Sequence, residues 1–373
     1  MIIHQDCRHF RSDVPCSFHK LEGVHCDDCP HYDGVKFRIL IVKLDAMGDV
    51  LRTTAILPAL KERYPGSHIT WLTRKESLPL FSNSPYVDVA MDYSAESFLM
   101  LQTEEYDLVL GLDASPASAR ATTLARGKEK RGFGYHARGY SYPLNKETEQ
   151  WYVMGLFDDV KKQNTKTYQD IILDICGLKT TQKEIQYRPT IDEVAWAAGL
   201  RKKWKLNARR PVVGFNPGAG SRWVNKKWPD RSARELIRLL LKAKCQVLLL
   251  GGQEEKELNS GIAKATKGVT DTGCHHSVRE YAAIVNLCDV VVTMDTFSLH
   301  LASALTKRVV ALFGPTSAVE IEMYGRGVKL MPAGSCACYY QRRCTAETHC
   351  MESITPAMVR DAVLAQLSLL PPS

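Results

Sequence analysis

A tight turn carrying one aspartate is the first feature of the sequence that suggests chemistry. Residues 43–50 read KLDAMGDV and lie between a short apolar segment and a helical pattern. Gly48 permits the tight turn, and Asp49 is predicted at the start of the helix, where free amides and the helix dipole keep a carboxylate ionised. Such a carboxylate accepts a proton, so Asp49 is a candidate general base. A plain helix-capping role for Asp49 accounts for the same pattern.

A glycine-rich loop followed by a lysine is the second feature. Residues 216–222 read NPGAGSR after an apolar segment, and Lys226 opens the sequence KKWP at 226–229. Exposed loop amides, close backbone approach at Gly218 and Gly220, and a mobile ammonium group are typical of a phosphate-binding site. A simple strand-to-helix connection is the alternative. Neither the Walker A spacing nor a G-x-G-x-x-G run is present, so ATP hydrolysis and a nicotinamide cofactor are not predicted.

An aspartate–threonine pair after another apolar segment is the third feature. Residues 294–300 read MDTFSLH. Asp295 and Thr296 favour the start of a helix, whose free amides would point at a cleft at the end of the preceding strand. His300 lies one helical turn after Thr296, so it either faces a ligand or packs as a buried side chain.

The cysteines form a further pattern, because eight of the twelve fall into two groups of four. Cys26 and Cys29 form a C-x-x-C pair, and with Cys7 and Cys16 they supply the ligand types of a tetrahedral zinc or iron site. Free thiols and disulfides are the alternatives. The second candidate group comprises Cys336, Cys338, Cys344 and Cys350. Four thiolates leave no open coordination position, so a metal at either group would be structural. The four remaining cysteines are predicted to be small buried side chains; they are Cys176, Cys245, Cys274 and Cys288.

Length and composition indicate two ordinary folded domains. The chain has 373 residues, of which 45% are hydrophobic and 24% charged, and its net charge is +8. No apolar run approaches the roughly 20 residues that span a bilayer, and the first residues lack the pattern of a secretory signal. We therefore expect a cytoplasmic protein. The positive charge suits an anionic ligand or the surface of the inner membrane, although the basic run at 201–210 is more typical of a solvated helix face. No RNA-binding motif or zinc-finger repeat occurs, so nucleic acid is not a predicted partner.

Short apolar strands alternate with helical patterns along most of the chain, which is typical of parallel sheets covered by helices. Residues 1–35 are predicted to form a Cys/His-rich appendage, 36–190 a first doubly wound domain and 191–373 a second. A cleft between two such domains is the expected ligand site. Predicted strands are 39–42, 68–72, 87–91, 108–112, 211–215, 246–250, 289–293 and 308–313. Predicted helices are 49–63, 77–83, 95–103, 116–126, 165–176, 230–244 and 356–370.

Taken together, these motifs resemble glycosyltransferase family 9, the lipopolysaccharide heptosyltransferases and their relatives. The resemblance covers about 38–370. Its most specific pieces are M-G-D at 47–49, N-P-G-A-G at 216–220 and K-x-W-P at 226–229. Support comes from D-T-x-x-x-H at 295–300, F-G-P-T at 313–316 and I-T-P at 354–356.

The resemblance implies a GT-B fold, in which two Rossmann-like domains face a cleft and the C-terminal one holds the donor. It also implies inverting transfer from ADP-heptose without a catalytic cofactor, onto an anionic glycan, glycolipid or protein acceptor. Asp49 takes the role of general base. Residues with a donor-binding role are Gly218, Gly220, Ser221, Lys226, Asp295, Thr296 and His300. Lys43, Met47 and Gly48 are candidates for the acceptor side.

One position departs from the family pattern, because Phe297 follows the Asp-Thr pair where the family usually has glycine. A bulky side chain there would reshape the pocket for the sugar or the nucleotide.

Two other functions remain open from the sequence. One is a sugar-nucleotide epimerase of the GT-B type, which needs no acceptor, and the other is a binding or assembly protein that keeps the fold without turnover.

Overall fold

The computed structural model describes residues 2–219, 224–334, 339–341, 344, 346–347 and 349–371. Its core consists of two six-stranded sheets. The N-terminal lobe contains β1 (Phe37–Val42), β2 (Ser67–Thr73), β3 (Val89–Asp92), β4 (Glu105–Gly111), β5 (Arg126–His136) and β6 (Tyr140–Pro143). Their order is β3-β2-β1-β4-β5-β6, and all neighbours are parallel except β5 and β6.

The C-terminal lobe repeats this design with an all-parallel sheet. Its strands are β7 (Val212–Asn216), β8 (Gln246–Leu249), β9 (Val269–Asp271), β10 (Val290–Met294), β11 (Arg308–Leu312) and β12 (Gly327–Leu330). Their order is β12-β11-β10-β7-β8-β9. The central strands β7 and β10 are buried along their whole length, as their apolar composition predicts for strands covered on both faces. The two predicted doubly wound units are therefore confirmed.

Helices cover the faces of both sheets. In the N-terminal part they are α1 (Ser17–Glu22), α2 (Met47–Thr53), α3 (Leu57–Arg63), α4 (Ala95–Thr103), α5 (Pro116–Leu124), α6 (Lys146–Leu156), α7 (Asp158–Lys162) and α8 (Tyr168–Cys176). The remainder are α9 (Ile191–Lys203), α10 (Asp230–Lys242), α11 (Lys256–Ala265), α12 (Val278–Asn286), α13 (Phe297–Ala304) and α14 (Pro356–Ser368). No helix within the described ranges is long and apolar enough to cross a membrane.

The predicted continuous helix at 49–63 is wrong. The structure has α2, one 3-10 turn at Thr54–Ile56, and then α3. Pro58 stands at the start of α3 and has no amide hydrogen, so the α-helical hydrogen bond to Thr54 is not formed and the helix breaks there. The predicted helix at 77–83 is likewise a 3-10 segment, Lys75–Phe81, with Pro79 inside it.

Several elements of the structure were not predicted. Strand β5 reads RGKEKRGFGYH, and its charged half lies near the sheet edge, where polar side chains reach solvent. Strands β9 and β12 are edge strands of three and four residues. Such short or polar segments carry little of the apolar pattern on which strand prediction depends.

The two lobes share one apolar core. A single cluster of buried side chains includes Ile41 and Val50 of the N-terminal lobe together with Val291 and Leu299 of the C-terminal lobe. Its members meet where α2 packs against α13. The shared core holds the turn after β1 next to the start of α13.

Arg8 links the N-terminal appendage to the first lobe. This guanidinium donates to Asp33 within the appendage, to the Asp88 carboxylate, and to the backbone carbonyl of Ser67 at 3.1 Å. No disulfide joins the described cysteines. The prediction for the four separate cysteines is confirmed, because Cys176, Cys245, Cys274 and Cys288 are all buried.

Candidate active site

Asp49 lies at the cleft end of β1, in the first turn of α2. Ala46 is the N-cap and Asp49 is the third helical residue, so Asp49 is not the first residue of the helix as predicted. Its Oδ2 accepts the backbone N–H of Ala46 at 3.4 Å, and its Oδ1 lies 2.8 Å from a guanidinium nitrogen of Arg52. The side chain is 36% exposed. Asp49 is thus held from two sides and remains partly exposed.

The charges around Asp49 keep it ionised. Burial by itself raises its pKa, but the positive charges of Arg52 and then Lys43 outweigh burial and lower the pKa below the usual carboxyl range. The hydrogen bond from Ala46 acts in the same direction. Asp49 therefore carries a negative charge at neutral pH, which is the state a proton acceptor needs.

Lys43 lies under the turn and is almost completely buried. Its Nζ donates to the carbonyl of Asp45 at 2.6 Å and lies 3.6 Å from Oδ1 of Asp113. The other oxygen of Asp113 accepts the backbone N–H groups of Leu44 and Asp45. Lys43 and Asp113 therefore fix the shape of the turn that presents Asp49.

Gly48 and His300 meet where the two lobes touch. A Cβ atom added at Gly48 would lie 2.9 Å from Cδ2 of His300 and 3.5 Å from Cα of Phe297. His300 is 6% exposed, and burial, followed by the nearby charge of Arg52, lowers its pKa to about 4. Of the two alternatives for His300, the structure favours the packing role, as a neutral side chain beside Asp49.

Lys226 and Asp295 form an ion pair on the C-terminal lobe. The Nζ of Lys226 donates to Oδ2 of Asp295 at 2.7 Å and to its backbone carbonyl at 3.0 Å, and Lys226 is 8% exposed. Burial raises the pKa of Asp295, but the charge of Lys226 more than compensates and the pKa is lowered. Thr296 is the N-cap of α13, as predicted. The sequence motifs around 226 and 295 therefore come together.

A cavity of about 570 Å³ opens beside this ion pair. It lies at the carboxyl ends of β7, β8 and β10, the edge at which parallel sheets bind ligands. Met47 from the other lobe forms part of the wall, so the turn that carries Asp49 borders this cavity. The remaining wall includes Gly218, Lys226, Gly251, Gly252, Glu255, Tyr281, Asp295, Thr296 and Phe297. Gly220 and Ser221, the other candidates in the loop, lie outside the described residues.

Hydrogen bonds fix the shape of the cavity floor. Asn216 Nδ2 donates to Oγ of Ser298 at 2.7 Å, while its Oδ1 accepts the backbone N–H of Gly218 at 3.0 Å. The hydroxyl of Tyr281 lies 2.6 Å from the same Ser298 oxygen. A Cβ atom at Gly218 would overlap the side chain of Glu255, so a larger residue there would require Glu255 to move.

Sequence reasoning missed two residues of this site for different reasons. Arg52 stands three residues after Asp49 on a helix, a spacing at which opposite charges meet, so the signal was available. Tyr281 comes from the middle of α12, and nothing in its local sequence connects it with Ser298.

Among the described residues, the cysteines of the appendage are not arranged as a metal site, so the predicted site stays a prediction. Within residues 2–35, as in the rest of the described chain, no group of three or more His, Cys, Asp or Glu side chains is arranged to hold a metal ion. The side chains of the first group, Cys7, Cys16, Cys26 and Cys29, border a common cavity of about 200 Å³. Cys7 pairs with Gly34 across a β-bridge, and the thiol of Cys16 caps α1. In the second group, Cys336 and Cys338 lie outside the described residues, while Cys344 and Cys350 are half-buried.

Comparison with known proteins identifies the family. The model for glycosyltransferase family 9 (heptosyltransferase) matches residues 98–351. This chain belongs to glycosyltransferase family 9. Among curated family 9 relatives, lipopolysaccharide heptosyltransferase 2 of Salmonella typhimurium is 24% identical over 300 residues, which are 75% of this chain and 83% of that protein. Lipooligosaccharide heptosyltransferase 2 of Haemophilus influenzae is 25% identical over 306 residues, 75% of this chain and 84% of that one.

Solved structures of family 9 proteins share the fold. The family 9 glycosyltransferase of Veillonella parvula superimposes with a TM-score of 0.75 at 17% identity, covering 89% of this chain and 97% of that one. ADP-heptose lipopolysaccharide heptosyltransferase II of E. coli has a TM-score of 0.68 at 21% identity and covers 89% and 99%. The predicted GT-B architecture is thereby confirmed.

Family 9 membership makes the protein a glycosyltransferase. It decides against the two alternatives, a sugar-nucleotide epimerase and a binding protein without turnover. The family match begins after Asp49, so the role of Asp49 depends on the geometry described above.

Proposed function

We propose that the protein transfers a heptose from ADP-heptose to a hydroxyl group of an anionic acceptor, with inversion and with Asp49 as general base. One observation carries the proposal. The turn that presents the ionised Asp49 on one lobe also borders, through Met47, the cavity that contains Lys226 on the other lobe. A proton acceptor and a phosphate-binding cation therefore flank one space in the cleft.

The reaction follows from these positions. The acceptor oxygen attacks the anomeric carbon of the donor from the side of Asp49, which takes the hydroxyl proton. A new carbon–oxygen bond forms while the bond from the anomeric carbon to the diphosphate breaks. The departing diphosphate gains negative charge, which Lys226 and the N-terminal amides of α13 stabilise. A single displacement of this kind inverts the anomeric centre and needs no catalytic cofactor.

ADP-heptose is the proposed donor because solved structures with the same fold carry ADP-heptose or an analogue of it in their names. One E. coli heptosyltransferase of the same fold, with a TM-score of 0.59 and 20% identity, was solved with ADP-2-deoxy-2-fluoro heptose. In this chain Phe297 borders the cavity and its ring stacks against Tyr281, with centroids 6.3 Å apart. We infer that this aromatic pair forms one wall of the pocket for the adenosine or the sugar.

The proposed acceptor is an anionic glycan, glycolipid or protein, reached from the cytoplasm with peripheral contact at the inner membrane. The net charge of +8 supports an anionic partner. Basic side chains also lie where the two lobes meet. Arg52 is one, and Lys161 is another, with its Nζ 3.7 Å from Glu320 of the opposite lobe. The names of the curated relatives favour a lipopolysaccharide-type acceptor.

Asp49→Asn tests the proposal, because it preserves the shape of the side chain and removes the proton acceptor. We expect turnover, measured as ADP release from ADP-heptose with deacylated lipopolysaccharide core as probe acceptor, to fall by roughly 10²–10⁴-fold. Binding of ADP, measured by calorimetry, should stay within a factor of about two because the diphosphate contacts belong to the other lobe. If Asp49 only caps the helix, Asn serves nearly as well, and a folded variant with normal turnover would remove Asp49 from the mechanism.

A further inference from the structure

Arg52 is the residue of this site that neither the motifs nor the family resemblance assign. It leaves α2 one turn after Asp49 and is buried between the lobes, with 11% of its side chain exposed. Its guanidinium carbon lies 3.7 Å from the centre of the Tyr168 ring, close enough for a cation–π contact. The Tyr168 hydroxyl lies 2.6 Å from that of Thr53, the residue next to Arg52. The guanidinium is therefore held on its face by α8 and not only by its own helix.

Arg52 has a buried donor atom without a partner among the described residues, which indicates a role beyond its ion pair with Asp49. One of its terminal nitrogens lies 2.8 Å from Oδ1 of Asp49. Its Nε is buried and has no hydrogen-bond partner among the described residues. Burying a guanidinium with donors unused is costly, whereas an exposed ion pair at this helical spacing would have little effect in either direction. Stability of α2 alone is therefore a poor explanation for the position of Arg52.

The two carboxylate oxygens of Asp49 have different partners. Oδ1 meets the guanidinium, while Oδ2 accepts the N–H of Ala46 through a long hydrogen bond of 3.4 Å. An anchored Oδ1 fixes the rotation of the carboxylate, so Oδ2 keeps one direction and, with only this long hydrogen bond, can accept a second donor. A general base needs this fixed direction, because proton transfer requires a hydrogen bond of about 3 Å to the attacking hydroxyl.

We propose that Arg52 is a positioning residue, which orients the Asp49 carboxylate towards the acceptor and keeps it ionised throughout the working pH range. This inference rests on the proposed role of Asp49 as general base. Other charged or titratable groups around Asp49 are Lys43 after β1, His300 of α13, Tyr168 of α8 and Glu320 of the C-terminal lobe. Arg52 is the nearest positive charge to Asp49 by contact, and its charge lowers the pKa of Asp49 more than that of Lys43 or His300.

The experiment compares Arg52→Met, Arg52→Gln and Arg52→Lys with the wild type. The first readout is the titration of the Asp49 carboxyl carbon by ¹³C NMR, assigned by its disappearance in Asp49→Asn, and it needs no substrate. The second is ADP release from ADP-heptose with deacylated lipopolysaccharide core as probe acceptor, as a function of pH. Arg74→Met is the matched control, because Arg74 pairs with Asp45 in the same turn but is half-exposed and does not contact Asp49.

We expect the neutral variants to move the Asp49 midpoint upward by about 1–3 pH units, the usual effect of losing an opposite charge in contact. Their turnover should fall about 10- to 100-fold, and an acidic limb should appear in the pH–rate profile. Arg52→Lys should keep the wild-type midpoint, because it retains the charge, and should recover part of the turnover. Arg74→Met should match the wild type in both readouts.

The outcomes separate this inference from the proposed function. If the Asp49 midpoint stays in place in both Arg52→Met and Arg52→Gln, Arg52 does not control the ionisation of Asp49 and the inference is overturned. A shifted midpoint with unchanged turnover overturns the positioning role. Normal turnover in Asp49→Asn instead removes the general base, and the inference falls with the proposed function. Two neutral variants are included because either one alone could fail to fold.

Discussion

Gly48 of the N-terminal lobe lies directly against His300 of the C-terminal lobe. The close approach places α2, which carries Asp49, beside α13, which begins next to the Lys226–Asp295 pair. A glycine at this point has a packing reason, because any Cβ atom would lie 2.9 Å from the imidazole. The close approach of the lobes at this point therefore depends on residue 48 having no Cβ atom.

Gly48→Ala should push the lobes apart at the active site. We expect a loss of about 1–3 kcal/mol in the free energy of unfolding, as for overpacking of a tight contact, together with reduced turnover. The measurement is the urea midpoint and ADP release. Gly155→Ala is the matched control, because a Cβ atom there meets nothing within 4 Å. A second variant, Gly48→Ala with His300→Ala, should recover part of the stability, and no recovery would mean that the contact is not the cause.

Lys226→Ala should weaken donor binding by roughly 10- to 150-fold, because a charged hydrogen bond in a partly buried cleft contributes about 1.5–3 kcal/mol. The loss also leaves the Asp295 carboxylate without its partner. Lys227→Ala is the control, since Lys227 is the next residue and is exposed. Calorimetry with ADP distinguishes the two variants. Equal weakening by both would assign the phosphate contact to the wrong lysine.

His300 should make the protein less stable as the pH falls below neutrality. Its pKa is about 4 in the folded protein, because burial disfavours the charged ring, and about 6.5 in an unfolded chain. Between these values the unfolded chain binds the proton and the folded protein does not, so stability is lost as the pH falls towards 4. The full effect is on the order of 3 kcal/mol.

Urea unfolding of wild type and His300→Gln at pH 7, 6 and 5 measures this contribution. The stability difference between the two proteins should change by about half of that amount over this interval, because pH 5 is still above the pKa of the folded protein. His275→Gln, at an exposed position, should change nothing between pH 7 and 5. A wild-type slope that persists unchanged in His300→Gln would assign the pH dependence to other groups.

Arg279→Ala should loosen the packing of α12 against α9 and the segment that precedes it. Arg279 of α12 donates to both oxygens of Glu193 and to the backbone carbonyl of Arg188 at 3.1 Å, and both side chains of the ion pair are nearly buried. Breaking such a pair typically costs about 3–5 kcal/mol because one charge stays buried alone. Thermal unfolding should show the loss. Arg360→Ala, which removes a largely exposed pair with Asp361, should have almost no effect.

The sequence alone predicted the parts of this protein that depend on local pattern. Apolar segments marked the central strands of both sheets, and Asp295-Thr296 marked the start of α13. These features follow from hydrophobic periodicity and capping, which act over a few residues. The motifs also indicated the family, since spacing within a loop is preserved when the rest of the chain diverges. Local pattern did not predict β5, because the part of this strand at the sheet edge is polar. It also predicted one continuous helix through Pro58, whose missing amide hydrogen breaks the helix.

Only the tertiary structure decided which of these motifs act together. Gly48 and His300 are 252 positions apart in the chain, and no local spacing indicates that they touch. The same holds for Arg52 on Tyr168, and for Met47 at the wall of the C-terminal cavity. The appendage shows the reverse case, in which suggestive cysteine spacing is not followed by a metal-binding arrangement among the described residues. Such contacts are determined by the packing of segments that are distant in the chain. Close packing of their buried side chains allows one arrangement, which the spacing of motifs along the sequence does not specify.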